Sequence, residues 1–149
     1  MPSVWVNLTD ADRKAIAEKI PSLAKKMEHK KIKVSSAKGK GRNLQYWVCE
    51  RIADITRIPW VQADDNCEIH SREMGQAGVD LVLRGKAAEK FPFSIECKSS
   101  EQLNLVDTVN QASKNNLPGR NWLIVHKRKA IPNPIVIMDW NAFEWIWRS

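Results

Sequence analysis

Two short apolar runs, each with an acid set inside it, constrain this chain more than any other feature. The first is Val79-Asp80-Leu81-Val82-Leu83 and the second is Phe91-Pro92-Phe93-Ser94-Ile95-Glu96-Cys97-Lys98. Both have the composition and length of strands, and the residues between them, Arg84 to Lys90, read as a polar turn. A hairpin of this kind brings Asp80 beside Glu96. Residues two apart on a strand share a face, so Glu96 and Lys98 project together while Cys97 turns the other way. Burying charge is costly unless it is paired or metal-bound, so the grouping asks for a chemical reason.

The Glu-x-Lys triplet alone is weak. Glu28-His29-Lys30 has the same pattern in a charged helical stretch and carries no such company. Asp80 also suits a turn start or a pair with Arg84. Two carboxylates at roughly 4 Å repel by about 4 kcal/mol at an effective dielectric near 20. A divalent cation reverses that sign, and oxygen ligands completed by water are what Mg²⁺ prefers. Such an ion activates water and offsets charge on a phosphate. A lysine on the same face would orient the attacking water or neutralise developing charge.

Elsewhere the periodicity predicts helices over about 9–31, broken near Pro21, over 43–56 ending before Pro59, over 103–115, and over 139–147. Leu44, Trp47, Val48, Ile52 and Ile55 mark the expected buried face of the second of these. Ser35 to Gly41 reads as a linker, Val61 to Ala63 as a short strand, and Asp64 to Gly78 as a loop. Residues 122–126 and 135–138 are further strands. The order predicts a mixed sheet flanked by helices, with a parallel pair joined across the 103–115 helix. An N-terminal helical arm, 1–37, precedes a core over 38–149.

The 149 residues suit one core, and the net charge of +7 suits a polyanionic partner. Lys25, Lys26, Lys30, Lys31, Lys33, Lys38, Lys40 and Arg42 face a single acid, Glu28, in their stretch. Phosphate contact is the functional reading of that cluster, and a solvated helix face plus linker the plain one. Three cysteines, an odd number, fit reduced thiols. Cys67 and His70 lack a second ligand pair for zinc. No apolar run approaches the roughly 20 residues of a membrane span, and the first residues lack a signal-peptide layout, so the expectation is a cytoplasmic protein.

Asp80 followed by Glu96-x-Lys98 on the next strand resembles the PD-(D/E)xK nuclease superfamily. Within it, the chain resembles archaeal-type Holliday-junction resolvases and related small phage nucleases. Lys40-Gly41-Arg42-Asn43-Leu44-Gln45 matches the turn into their first core helix, and Ser71 to Asp80 their glycine-containing approach to the aspartate. The resemblance covers about residues 38 to 128. It implies a restriction-endonuclease-like core, a central mixed β-sheet with helices on both sides. It implies Mg²⁺ or Mn²⁺ on Asp80, Glu96 and the backbone carbonyl of Cys97, with Lys98 catalytic. The helix position usually held by Glu is Gln45, which supplies less charge and enters the catalytic set in its place.

What the resemblance implies in function is a metal-dependent DNA endonuclease, structure-selective and acting on a branched or four-way junction. Paired nicks suit a homodimer, with Phe143, Trp145, Ile146 and Trp147 as contributors. The alternatives are another nuclease on the same core (nicking, restriction-like or end-processing) and a catalytically weak DNA-binding module. Candidate DNA contacts are Lys38, Lys40, Arg42, Arg72, Gln111, Lys127 and Arg128. Each has a plain alternative: Gln111 as a solvent-exposed helix residue, and Lys127 and Arg128 as a charged turn before Pro132. Ser99 and Ser100 fit capping of the next helix better than phosphate contact.

Overall fold

A computed structural model describes residues 34–149 and, alone in the segment before them, Ala11. The predicted helix over 9–31 and the lysines of residues 25–33 lie outside the described residues. The chain divides between Lys33 and Val34 rather than between residues 37 and 38. The reason is local: the stretch expected as a linker is helical.

Helix α1 runs Val34–Thr56. Gly39 and Gly41 each disfavour helix by about 1 kcal/mol relative to Ala, yet the helix runs through both. Gly41 has a packing reason, since a Cβ there would meet Met74 Cε at 3.1 Å. Leu44, Val48, Cys49 and Ile52 form the buried stripe of α1. Trp47 and Ile55, expected inside, are 41% and 67% exposed; Cys49 and Thr56 occupy the buried face instead. Trp47 lies under the Arg51 guanidinium, 5.8 Å from its ring centroid.

After α1 come β1 (Ile69–Ser71), β2 (Leu81–Leu83), α2 (Gly85–Lys90), β3 (Phe93–Ser99), α3 (Leu105–Asn115), β4 (Asn121–Lys127), β5 (Ile135–Ile137) and α4 (Trp140–Arg148). The five strands lie in chain order in one sheet. Only β3 and β4 are parallel, and α3 connects them, as the periodicity predicts. The architecture is therefore α/β, a five-stranded mixed sheet flanked by helices.

Three local expectations are corrected. Residues 61–63 form a turn, not a strand, with Ala63 at φ +62°. The supposed loop 64–78 contains β1, whose Ile69 is fully buried against the core. The polar turn 84–90 is helix α2; the Glu68 carboxylate accepts the Ala87 N–H at 2.8 Å, and Ala87 packs into the core.

The main core lies on one face of the sheet. There Leu44, Val48, Cys49 and Ile52 of α1 meet Ile69, Leu81, Leu83, Phe93, Ile95, Leu123 and Val125, with Ala142 of α4. Helix α3 packs on β3 and β4. Its N-cap is Asn104, whose side chain accepts the Asp107 N–H; Ser100 instead donates to the Gln102 carbonyl. No helix of the described residues is long and apolar enough to cross a membrane.

Candidate active site

The site sits where β2 begins and β3 ends. Leu81 pairs with Ile95, and Asp80 and Glu96 flank that pair on their two strands. Asp80 precedes β2 rather than lying within it. Its N–H donates to the Ile95 carbonyl at 3.0 Å, and its Oδ2 accepts the Cys97 N–H at 2.6 Å. A side chain thus takes a donor that a continued ladder would have used.

Glu96 is 4% exposed. Its Oε1 meets Lys98 Nζ at 3.1 Å and accepts from Gln111 Nε2 at 2.8 Å. Lys98 Nζ also donates to Gln111 Oε1 at 3.0 Å. Glu96, Lys98 and Gln111 therefore form a closed triangle, with the amide oriented by an acceptor on one side and a donor on the other. Gln111 is an exposed helix residue whose amide nevertheless reaches Glu96 and Lys98.

Burial pushes the Asp80 carboxyl above the ordinary aspartate range, against the Cys97 N–H and the charges of Lys98 and Arg72. Burial likewise raises Glu96, reinforced by repulsion from Asp80 and opposed by Lys98 and Asn115. Two desolvated carboxylates, the second raised further by the first, are a hard, all-oxygen donor pair of the kind that suits Mg²⁺ or Mn²⁺. Among the described residues no group of three or more His, Cys, Asp and Glu side chains forms a metal cage. An ion at these two carboxylates would need its remaining positions filled by backbone oxygen and water. Cys97 faces away, its thiol pushed well up by burial and by the nearby Asp80 and Cys49.

Gln45 does not join this group. It is 3% exposed on α1, accepts from Ser71 Oγ at 2.8 Å, and turns its amide nitrogen to Met74 Sδ at 3.6 Å. It makes no hydrogen bond to Asp80, Glu96 or Lys98 among the described residues. Ser71 pairs with Leu81, on the core side of the sheet, which explains the separation.

The approach to Asp80 is a tight loop. The Arg72 N–H donates to the Asp80 carbonyl at 2.8 Å, and its guanidinium bonds the Ala77 carbonyl. Gly78 has φ +105°, a backbone conformation that favours glycine. Met74 of the same loop packs on Gly41, which sets the loop against the turn of α1 that carries Lys38, Lys40 and Arg42. Lys38 and Lys40 are exposed; Arg42 bonds the Tyr46 hydroxyl at 3.2 Å. Lys127 donates to the Pro132 carbonyl at 2.8 Å and so fastens its own turn, as the charged-turn reading expects, while Arg128 is exposed.

Two further residues near the acids are not singled out from the sequence. Asn115 donates to the Gly78 carbonyl at 3.3 Å. His126 pairs in register with Lys98 on the next strand, is 4% exposed, and bonds the Ser100 carbonyl at 3.0 Å through Nε2. Only the i, i+4 spacing of Gln111 and Asn115 on α3 would have pointed to the first of them.

No family model matches the chain, and neither a curated protein nor a solved structure does.

Proposed function

We propose that this protein is a Mg²⁺- or Mn²⁺-dependent DNA endonuclease of the PD-(D/E)xK class, with Asp80, Glu96 and Lys98 as its centre. The observation that carries this reading is the convergence of those residues: Asp80 latched to Cys97 N–H, and the buried Glu96 paired with the partly exposed Lys98 on β3. Asp80, Glu96 and the Cys97 carbonyl would hold the ion. When bound, the metal supplies Lewis-acid stabilisation of charge on the phosphate. Lys98 lies beside Glu96 with its side chain 30% exposed, so its ammonium can reach both solvent and substrate. It would orient the attacking water or offset charge on the phosphate. Gln111 holds that ammonium in place.

The substrate is proposed to be branched DNA, with a four-way junction first among the choices and the chain acting as a homodimer. The resemblance to junction resolvases supports the junction. The exposed Lys38, Lys40 and Arg128, with Arg42 on α1 and Arg72 near the site, support a polyanion. On α4, Trp140, Phe143 and Trp147 stack along one stripe, with centroids 5.2 Å and 6.3 Å apart and large exposed areas, which suits a two-fold contact. A catalytically weak DNA-binding module is the second reading. Gln45 favours it, because an amide where the resemblance expects Glu leaves two carboxylates rather than three, and its bond with Ser71 holds even that amide away from the acids.

Incubation with a labelled four-way junction, a linear duplex and a single strand, each with Mg²⁺ and with EDTA, separates these readings. Paired Mg²⁺-dependent nicks confined to the junction are expected. Cleavage of all three substrates would point to a general nuclease, and binding without cleavage to the binding module.

A further inference from the structure

Helix α3 touches both segments that present the acids. Gln111 donates to Glu96 Oε1 at 2.8 Å, and Asn115, one turn later, donates to the Gly78 carbonyl at 3.3 Å. Gly78 lies two residues before Asp80, and between them Val79 is buried. The far end of α3 is itself fixed to β3, since the Leu117 N–H donates to Ser94 Oγ at 2.9 Å. The helix is therefore a strut anchored on the strand that carries Glu96 and reaching across to the loop that delivers Asp80.

We propose that Asn115 is a positioning residue that sets the spacing of Asp80 and Glu96 by tying the Gly78 carbonyl to α3. The inference rests on the reading of those acids as a metal pair. A loop with Gly75 at φ +91° and Gly78 at φ +105° has few conformational restraints of its own. The Arg72 contacts close the loop on itself, and Asn115 fastens it to α3, whose Gln111 bonds Glu96. Outer residues that orient metal ligands typically govern affinity by about 10- to 100-fold.

The test is a Mn²⁺ titration of the full chain, wild type against Asn115→Leu and Asn115→Ala. Leucine has similar bulk, no donor and better helix propensity, so Asn115→Leu separates positioning from folding. Both variants should bind Mn²⁺ about 10- to 100-fold more weakly while binding DNA in EDTA like wild type. Cleavage at saturating Mn²⁺ should return to within a few-fold of the wild-type rate. Wild-type Mn²⁺ affinity in Asn115→Leu would overturn the role of Asn115 alone. Absence of Mn²⁺ binding in the wild type would overturn the metal pair itself, and this inference with it.

Discussion

Asp80 Oδ2 accepts the backbone N–H of Cys97 at 2.6 Å, so the first acid is latched to the residue that separates Glu96 from Lys98. This single bond draws the two carboxylates together although they repel. It also explains why β2 starts only at Leu81.

The acids should make stability depend on pH and on divalent cations together. Asp80 and Glu96 both have folded-state pKa values raised, chiefly by burial. Without a divalent cation, their contribution to stability is full below the ordinary carboxylate range and is lost as pH rises through the raised values. Cations bind the ionised form, so Mg²⁺ should add little at the acid end and progressively more across that window, about 2.7 kcal/mol at a hundred times its Kd. Thermal melts across pH with and without Mg²⁺ check this. Superimposable curves at every pH would contradict it.

Gln45 should matter for folding more than for chemistry. Its amide is buried and serves Ser71, so Gln45→Ala leaves a hydroxyl without its acceptor. A stability loss of about 1–3 kcal/mol is expected in denaturant titration. The cleavage rate of the remaining folded protein should change only a few-fold. A rate loss as large as that of Glu96→Ala would place Gln45 in the centre after all.

The basic surface should act through salt. Replacing Lys38, Lys40 or Arg42 by Ala should weaken binding of all DNA sequences alike. Removing a side chain that neutralises one phosphate should flatten the slope of log affinity against log salt by about 0.9. Binding measured at several ionic strengths reads this out. An unchanged slope in all three variants would remove α1 from the DNA interface.

The aromatic stripe of α4 should hold two copies together. Phe143 sits between Trp140 and Trp147, so Phe143→Glu places a charge at its middle. Sedimentation velocity should show association weakened by about 30-fold, the 2 kcal/mol typical of an interface hot spot. Wild-type protein that remains monomeric at high concentration would dismiss the dimer.

Much of this fold was legible because strand and helix periods are strong where one face is buried. The runs around Leu81 and Ile95 and the apolar spacing of α3 gave the antiparallel pair and the parallel crossover. What failed depended on partners distant in sequence. Gly39 and Gly41 signal a linker locally, and Met74 alone explains the room at Gly41. Helix α2 relies on Glu68, and β1 on its pairing with β2. Trp47 and Ile55 sit at helical spacing from the core residues, yet the stripe turns so that Cys49 is inside. At the site, Glu96 and Lys98 were readable from strand alternation, and Asp80 from its apolar neighbours. The way Gln111 bonds both Glu96 and Lys98 depends on how α3 lies across β3, which no local pattern encodes. Asn115 is hidden for the same reason.

The most direct measurement compares wild type with Glu96→Ala and Lys98→Ala for Mg²⁺-dependent nicking of a labelled junction, with DNA binding followed in parallel. The wild type should cut, and each variant should lose at least about a hundredfold in rate while its binding survives. Cutting at the wild-type rate by either variant would contradict the assignment of Glu96 and Lys98 to the catalytic centre.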